Sequence, residues 1–219
     1  MTASRPTKIT RTRNSKGKLV NSAVLAAATH LFAERGYDGV SIADIAAASG
    51  VAKPSVLYHF TDKETLWKSA VETLWAEVDV FFKEQWPRSI PPSRALLERI
   101  LDLFIEAAVR WPAYVRIPFI EGATPSWRSE WLVDRHFGQH VILTDRILRA
   151  MQGRRLIGSG DPAHYQALLT SSINVFVAQS AMWERAYSRN LSGADDMRTA
   201  VKLILDLMVK DPVSDRPAK

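Results

Sequence analysis

The sequence predicts an all-α protein that has a small N-terminal head and a larger helical domain behind it. Apolar residues recur three and four positions apart along most of the 219 residues, which is the spacing of helices that place one face on a core. Capping residues, glycine and proline divide this pattern into segments of helical length. No alternating strand pattern and no internal repeat is present in the sequence. These observations together favour a fold made of helices alone.

The composition excludes several classes of protein. The sequence contains no cysteine, which rules out disulfides, thiol catalysis and zinc fingers and is typical of a reducing compartment. No segment approaches the roughly 18 uninterrupted apolar residues of a membrane-spanning helix, and the N-terminal residues lack the apolar centre of a signal peptide. We therefore expect a soluble, cytoplasmic protein.

The first predicted helix spans about Lys18 to Arg35. Its large apolar side chains share one face, as in a helix that lies on a core. They are Val24, Leu25, Ala28, Leu31 and Phe32. Gly36 closes this helix, because glycine readily adopts the left-handed conformation with which many helices end.

The next stretch, residues 41–64, predicts two short helices joined by a sharp turn and followed by a third helix. Ser41 stands three residues before Asp44, the arrangement of a capping box that begins a helix. Gly50 ends this helix and permits the sharp turn. Pro54 suits the first turn of the second helix, because the N–H that proline lacks has no partner at that position. This arrangement is that of a helix-turn-helix.

The second helix of this helix-turn-helix has an outward face suited to DNA. Val56, Leu57 and Phe60 are expected to face inward. The outward side chains are then Lys53, Ser55, Tyr58 and His59. A cation, a hydroxyl, a phenol and an imidazole bind phosphate oxygens and base edges, whereas an ordinary solvated face carries pairs of Glu and Lys. We therefore predict that this helix contacts DNA and that Ser41 and Lys63 hold phosphates beside it.

Residues 24–67, VLAAATHLFAERGYDGVSIADIAAASGVAKPSVLYHFTDKETLW, resemble the DNA-binding domain of the TetR-type (TetR/AcrR) transcriptional regulators nearly position for position. The resemblance implies an N-terminal three-helix DNA-binding domain and a C-terminal helical domain that binds a small effector. Ala52 departs from the family pattern, which more often has a small polar residue at this helix cap. The lost cap costs about 1 kcal/mol at most.

The basic N-terminal segment predicts a disordered arm over residues 1–17. The net charge of the chain is +6. No acidic residue occurs before Glu34, so the six Lys and Arg residues up to Lys18 account for all of this excess positive charge. The segment has too little apolar matter to fold alone. It is either a solubilising tail or an arm that follows the DNA backbone or enters the minor groove. In the second case the contacting cations are Arg11, Arg13, Lys16 and Lys18.

The remaining helices predict a ligand-binding and dimerisation domain over residues 65–211, behind a head that covers residues 18–64. Thr61 and Glu64 form a second capping box, which opens a helix that leaves the head. Prolines separate the later helices, because proline removes a backbone donor and disfavours helix in the residue before it. The predicted helices span 61–86, 93–111, 112–118, 126–151, 162–189 and 192–211. Residues 212–219 are predicted to be a disordered tail.

Large aromatic side chains are concentrated in the helices of this domain, as an apolar ligand pocket requires. The candidate ligand contacts are Phe104, Trp111, Tyr114, Phe119, Trp127, Trp131, Phe176 and Trp183. Candidate polar anchors are Arg116, Glu121, His136, His140, Asn174 and Gln179. The alternative is that the aromatic residues fill a core or a dimer interface, as they usually do at helical spacing.

The last two predicted helices are the expected dimer interface. Ala178, Ser180 and Ala181 allow the close approach of a second copy, so that two amphipathic helices from each copy form a four-helix bundle across a two-fold axis. Two recognition helices related by that axis read a palindromic DNA operator, with half-sites about 34 Å apart.

Two other functions are compatible with parts of the sequence. A helical protein that binds a ligand or partner without sequence-specific DNA binding would share the larger domain. A metal-dependent enzyme is disfavoured: His136 and His140 stand four positions apart near Asp134, but no Glu adjoins the first His and no third ligand is evident. No nucleophile elbow or phosphate-binding glycine loop is present, and we predict no catalytic residue, cofactor or metal.

The sequence thus predicts a homodimeric, ligand-responsive transcriptional regulator that represses from a DNA operator. A small apolar or amphipathic effector is expected to release it, by binding better to an arrangement of the two heads that does not fit the operator.

Overall fold

The computed structural model describes residues 9–88 and 90–210, except for the side chains of residues 9–18. Within these ranges the chain contains helices and no strand, which confirms the predicted fold class. Residues 1–8 of the predicted arm and the predicted tail over 212–219 lie outside the described residues. The helices are α1 Ile9–Arg35, α2 Ile42–Ser49, α3 Lys53–His59, α4 Lys63–Gln85, α5 Arg94–Arg110, α6 Pro112–Glu121, α7 Trp127–Leu132, the π-helical segment Val133–Phe137, α8 Gly138–Gly153, α9 Pro162–Ala178, α10 Ser180–Tyr187 and α11 Ala194–Met208.

The chain divides into two compact units, Met1–Leu74 and Trp75–Lys219. The division lies within α4. The sequence also predicts a domain boundary inside this helix, but nearer its start, after residue 64. The first turns of α4 belong to the N-terminal unit because Leu66 and Trp67 are fully buried there. The boundary therefore follows the burial of side chains and not a break in the helix.

The core of the N-terminal unit lies between α1, α2, α3 and the first turns of α4. Val24, Ala28 and Phe32 form one face of α1 and are almost completely buried. Ile45 on α2 and Val56 on α3 are fully buried as well. The prediction that Val24, Ala28, Phe32 and Val56 face inward is confirmed.

The start of the first helix needs correction. α1 begins at Ile9, whereas the sequence predicts a disordered arm up to residue 17 and a helix from about Lys18. No proline lies between Ile9 and Arg35, and extending an existing helix adds a backbone hydrogen bond for each residue that is ordered. A low apolar content means that a segment does not fold alone, but it does not prevent the segment from continuing a helix.

The larger unit is built around α9, which packs against α5, α6, α8 and α11. α5 and α9 each begin with a side-chain cap. Ser93 Oγ accepts a hydrogen bond from the Leu96 N–H at 3.2 Å at the start of α5. Asp161 Oδ1 accepts one from the Ala163 N–H at 2.9 Å at the start of α9. These caps satisfy backbone donors that have no partner within the helix.

The helix predicted over 162–189 is interrupted at Gln179, whose φ of −112° and ψ of 24° separate α9 from α10. Arg116 of α6 accounts for the interruption. Its Nε donates to the Val177 carbonyl at 3.4 Å, and its Nη2 donates to Ser180 Oγ at 3.1 Å. A side chain that enters the ladder of backbone hydrogen bonds bends or breaks a helix. The prediction of one continuous helix is therefore wrong. The sequence of this segment alone does not reveal the interruption, because the side chain that contacts it belongs to α6.

Two other predicted helices differ from the structure in detail. The helix predicted over 126–151 changes its winding at Val133–Phe137, which is π-helical. The short helix predicted to end at Pro118 continues to Glu121, so that the proline lies inside α6. Tyr114 and Ile117 of α6 are buried, and their packing offsets the hydrogen bond that proline removes.

Candidate nucleic-acid interface and ligand cavity

A capping box fixes the start of α2, as predicted. The Ser41 hydroxyl oxygen accepts from the Asp44 N–H at 3.1 Å, and the Ser41 N–H donates to Asp44 Oδ2 at 2.8 Å. The Ser41 hydroxyl also donates to the same carboxylate oxygen at 2.6 Å. This hydroxyl hydrogen bond, followed by that of the Ser41 N–H, lowers the pKa of Asp44 below its ordinary value. The hydroxyl predicted to hold a phosphate is thus already engaged in the cap.

Gly50 forms the turn between α2 and α3. Its φ is +67°, a left-handed conformation that costs other residues more than glycine. The Gly50 N–H donates to the Ala47 carbonyl at 3.3 Å, and the Val51 N–H donates to the Ala46 carbonyl at 3.2 Å. This pair of hydrogen bonds is the Schellman arrangement. The predicted helix end at Gly50 and the sharp turn are confirmed.

α3 begins without a side-chain cap. Ala52 occupies the N-cap position and forms no side-chain hydrogen bond there, as the sequence predicts. The helix is held instead by Val56 and Phe60, which are 0% and 4% exposed. Leu57 was expected to face inward, but this expectation is wrong, since the residue is 39% exposed. In so short a helix, residues four apart share the inward face, and the next residue along the chain lies to one side of it.

The outward face predicted for α3 is largely exposed. Tyr58 is 84% exposed, and its ring meets the His59 ring edge-on with the centroids 5.3 Å apart. Lys53 is exposed and Ser55 is half-buried. A large aromatic side chain at such an exposure contributes little to the core, so its hydroxyl and ring are available to a partner.

Ser41, Lys53 and Lys63 border one shallow depression on the N-terminal unit. The helix ends of α2, α3 and α4 bring these three residues together from distant parts of the sequence. The Lys63 ammonium group is partly engaged, because Nζ donates to the Tyr37 carbonyl at 3.1 Å and lies 4.1 Å from the centre of the Tyr37 ring. The acidic Asp44 borders the same depression, which reduces its attraction for an anion.

The basic residues of the predicted arm lie at the start of α1. Arg11, Arg13, Lys16 and Lys18 all fall within Ile9–Arg35. Their side chains lie outside the described residues. Their predicted DNA contacts therefore remain a prediction.

A cavity of about 520 Å³ lies in the larger unit, enclosed by residues of α5, α6, α8 and α9. Phe104, Tyr114 and Phe119 line it, as predicted for ligand contacts. His140 and Asn174, two of the candidate polar anchors, line it as well. The structure therefore brings together about a third of the residues that the sequence proposes for a pocket.

The other predicted ligand contacts do not line this cavity; they are Trp111, Trp127, Trp131, Phe176 and Trp183. Trp111 Nε1 donates to Glu77 Oε2 at 3.1 Å, which ties the end of α5 to α4. Trp183 Nε1 donates to the Val175 carbonyl at 3.3 Å across the break between α9 and α10. Tryptophan commonly supports packing in this way, with its N–H bonded and its ring half-buried.

Part of the cavity wall, Gln166 and Thr170, could have been found in the sequence but was missed. Gln166, Thr170 and Asn174 line the cavity from α9. They are spaced four residues apart within PAHYQALLTSSINVFVA, which is otherwise mostly apolar. Residues at this spacing share one face of a helix. A row of amide and hydroxyl groups on an apolar helix indicates a polar lining, and helical periodicity would have revealed it.

His140 connects the cavity to α4. It lines the cavity, and its Nε2 lies 3.9 Å from Asp79 Oδ1 on α4. Burial lowers the pKa of His140 below its ordinary value, although the charge of Asp79 opposes this effect. A smaller cavity of about 260 Å³, bordered by Asp79 and Trp86, shares the side chains of Phe104 and His140 with the first.

The His136 side chain packs against two tryptophan rings. Its ring centroid lies 5.0 Å from that of Trp75 and 5.1 Å from that of Trp131. In the described ranges no group of three or more His, Cys, Asp or Glu side chains is placed to hold a metal ion. A helix of the length and apolarity needed to cross a bilayer is likewise missing from the part of the chain that the structure describes.

The N-terminal unit matches a known family. The model of the tetR family of bacterial regulatory proteins matches residues 24–70, the stretch that contains the capped α2, the Gly50 turn and the exposed face of α3. Residues 24–70 are a tetR-family domain. The family resemblance drawn from the sequence is thereby confirmed.

Relatives and solved structures extend this result. Over 57 residues, the chain is 35% identical to the HTH-type negative transcriptional regulator IcaR of the biofilm operon icaADBC from Staphylococcus epidermidis. This match spans 26% of this chain and 28% of the length of that relative.

Similarity to two solved structures covers most of the chain and shows a shared fold. The ketosteroid transcriptional regulator KstR2 of Mycobacterium tuberculosis has a TM-score of 0.70 at 18% identity, over 87% of this chain and 95% of that one. The transcriptional regulator FadR of Bacillus subtilis, in complex with stearoyl-CoA, has a TM-score of 0.61 at 14% identity, over 84% of this chain and 97% of that one.

Proposed function

We propose that this protein is a ligand-responsive, DNA-binding transcriptional regulator that acts as a homodimeric repressor in the cytoplasm. The observation that carries the proposal is the exposed face of α3, presented by a capped helix and a glycine turn within a tetR-family domain. IcaR, to which this domain is similar, is a negative transcriptional regulator. A small molecule in the cavity of the larger unit lowers the affinity for the operator.

DNA recognition falls to α3 and its surroundings. Tyr58 and His59 contact base edges or phosphates, while Lys53 and Ser55 hold the backbone. Ser41 and Lys63 add phosphate contacts at the adjacent depression, and the cations at the start of α1 add salt-dependent affinity. An exposure of 84% for Tyr58 supports this assignment, since a ring so far out of the core is free to meet a groove.

The cavity is the effector site. Its volume of about 520 Å³ lies within the usual range for sites that bind drug-sized molecules. FadR, which shares the fold, is in complex with stearoyl-CoA. A ligand of mostly apolar surface buries that surface against Phe104, Tyr114 and Phe119, which is favourable in proportion to the area removed from water.

The route from the cavity to the head runs along α4. His140 lines the cavity and faces Asp79 on α4 at 3.9 Å, and the same helix carries Leu66 and Trp67 into the core of the N-terminal unit. A ligand that changes the position of His140 therefore acts on the helix that leads to α3. A hundredfold loss of operator affinity requires about 2.7 kcal/mol of differential ligand binding between the two arrangements.

The dimer forms through the last helices. Leu203 and Leu207 stand four residues apart on α11 and are 61% and 87% exposed, so that they offer an apolar row to a second copy. Ala178 and Ser180, beside the break between α9 and α10, leave room for close approach. A two-fold axis through this region makes the DNA operator palindromic, with half-sites about 34 Å apart.

The test is selection of bound fragments from genomic DNA by the full chain, followed by retardation assays with Tyr58→Ala. We expect enrichment of a palindromic sequence and about 5- to 150-fold weaker binding of it by the variant, which corresponds to a lost contact of about 1–3 kcal/mol. Val133→Ala is the matched control, because Val133 is also exposed, at 55%, and lies in the π-helical segment, away from α3, the cavity lining and the last helices. It should bind as the unmodified protein does.

The possible outcomes separate the alternatives. If no fragment is enriched, the protein is a helical binding protein without sequence-specific DNA recognition. If Tyr58→Ala binds the enriched fragment as well as the unmodified protein does, α3 is not the recognition helix.

A further inference from the structure

The wall of the cavity has an apolar side and a polar side. α5 and α6 contribute side chains such as Leu97, Ile100 and Val115. α8 and α9 contribute most of the polar groups, namely His140, Thr144, Gln166, Thr170 and Asn174, and α6 adds Tyr114. A molecule that fills the cavity therefore meets hydrocarbon along one edge and hydrogen-bonding groups along the other.

The polar side carries no fixed charge. Among the described residues that line the cavity there is no Asp, Glu, Lys or Arg. Burial lowers the pKa of His140 and raises the pKa of Tyr114, so both are neutral near neutral pH. An ionised group brought into this cavity would lose its hydration without meeting an opposite charge on the wall, which is costly. The nearest carboxylate, that of Asp79, lies behind His140, with its Oδ1 3.9 Å from the His140 Nε2.

The hydrogen-bonding groups of the wall are rich in acceptors. The Thr144 hydroxyl donates to the His140 carbonyl at 2.9 Å, and the Thr170 hydroxyl donates to the Gln166 carbonyl at 2.9 Å. Because a hydroxyl has a single proton to donate, both threonines offer the cavity only their lone pairs. A ligand can satisfy these oxygens only with an O–H or N–H donor.

Two side-chain amides complete the row. Gln166 and Asn174 flank Thr170 at intervals of four residues along α9. Neither amide forms a side-chain hydrogen bond to another of the described residues. Each amide offers both a donor and an acceptor, so it matches a hydroxyl or an amide group of a ligand.

We propose that the cavity selects an uncharged, largely apolar molecule that carries at least one hydroxyl or N–H donor, which the row Gln166, Thr170 and Asn174 recognises. The inference rests on the proposed function in taking this molecule as the effector of DNA binding. Selection by charge and by the donor lies in the cavity itself and is measurable without DNA.

Calorimetric titration of the full chain with decyl probes tests the selection by charge and by the donor. The probes are 1-decanol, its isomer 1-methoxynonane, which lacks the O–H donor, and the ions decanoate and decyltrimethylammonium. We expect 1-decanol to bind at least about tenfold more tightly than either ion, because neither ion finds a countercharge among the residues that line the cavity. We expect it to bind about three- to tenfold more tightly than 1-methoxynonane, because one hydrogen bond contributes about 1 kcal/mol.

Three results overturn the inference. An ion that binds as tightly as 1-decanol removes the selection against charge. Equal affinity for the ether and the alcohol removes the donor requirement. Absence of measurable 1-decanol binding removes both.

Variants assign the selection to α9. Asn174→Leu and Gln166→Leu should each bring the alcohol-to-ether affinity ratio towards one, while ether binding is retained or improved. Gln139→Leu is the matched control, because Gln139 on α8 is exposed and does not line the cavity; it should keep the ratio. An unchanged ratio in both α9 variants contradicts the assignment, and circular dichroism shows that each variant is folded.

DNA retardation with the same probes separates this inference from the proposed function. If 1-decanol is preferred in calorimetry but no probe changes operator binding, the ligand class stands and the regulatory role falls. If an ion binds most tightly and releases the operator, the regulatory role stands and the ligand class falls.

Discussion

Replacing Glu121 alone by leucine should destabilise the larger unit markedly, although one charge is removed from a mostly apolar interior. The Glu121 side chain is 3% exposed, the Arg128 side chain is 13% exposed, and Arg128 Nε donates to Glu121 Oε2 at 2.5 Å. Glu121 ends α6 and Arg128 lies in the first turn of α7, so the pair closes the corner beside the ligand cavity.

The magnitude follows from burial. Removing one partner of a buried ion pair deprives the other charge of that partner and costs about 3–5 kcal/mol. Since Arg128 keeps some access to water, the lower end of this range is expected for Glu121→Leu. A loss of about 3 kcal/mol lowers the midpoint of thermal unfolding by roughly 6–12 °C in a protein of this size. Arg128→Leu should cost a similar amount, for the same reason.

The double variant decides the matter. When Glu121 and Arg128 are both leucine, no buried charge remains, and replacing a whole buried pair by apolar residues is often neutral. Urea unfolding of the full chain, followed by circular dichroism, should therefore show that the double variant is more stable than either single variant. If the two losses add to within about 0.5 kcal/mol, the pair is not coupled and the reasoning is refuted.

Two further predictions concern a missing cap and a buried histidine. Ala52→Ser should stabilise α3 by about 1 kcal/mol, because serine can cap the helix. Hydrogen exchange of the α3 amides should then be slower in this variant, whereas the control Ala47→Ser, in the exposed interior of α2, should not slow it. Equal α3 exchange rates in Ala52→Ser and the unmodified protein would contradict the cap assignment. The pKa of His136 is lowered to about 4, chiefly by burial and then by the charge of Arg135. Since an unfolded histidine titrates near about 6.5, the unfolded state binds more protons between these values, and the free energy of unfolding should fall as the pH drops through that window. Urea midpoints should show a weaker pH dependence for His136→Gln than for the exposed control His30→Gln, and equal slopes would exclude His136 as the cause.

The helix-turn-helix could be predicted because its determinants are local. Ser41 and Asp44 cap one helix over a span of three residues, and Gly50 ends it through its own backbone conformation. Val56 and Phe60 then share a face because they stand one helical turn apart. Each of these effects acts within one or two turns of the chain, so spacing in the sequence is enough to identify it. The exposure of Leu57 is the exception, since a side chain at the edge of the inward face is buried or exposed according to its neighbours.

The larger unit shows the opposite case. Phe104, Tyr114 and Phe119 reach the cavity, while Trp111 and Trp183 are of the same chemical type and do not. What separates these two groups is the rotation of each helix about its axis and the helix it meets, and neither is encoded by composition or spacing.

The sequence by itself thus determined the helical class, the position of the tetR-family domain and the outward face of α3, because caps, turns and helical periodicity are short-range effects. Only the tertiary structure decided which side chains enclose the cavity, where Arg116 interrupts the helix at Gln179, and that Glu121 meets Arg128. Each of these depends on contacts between different helices, and such contacts are set by the packing of the whole unit.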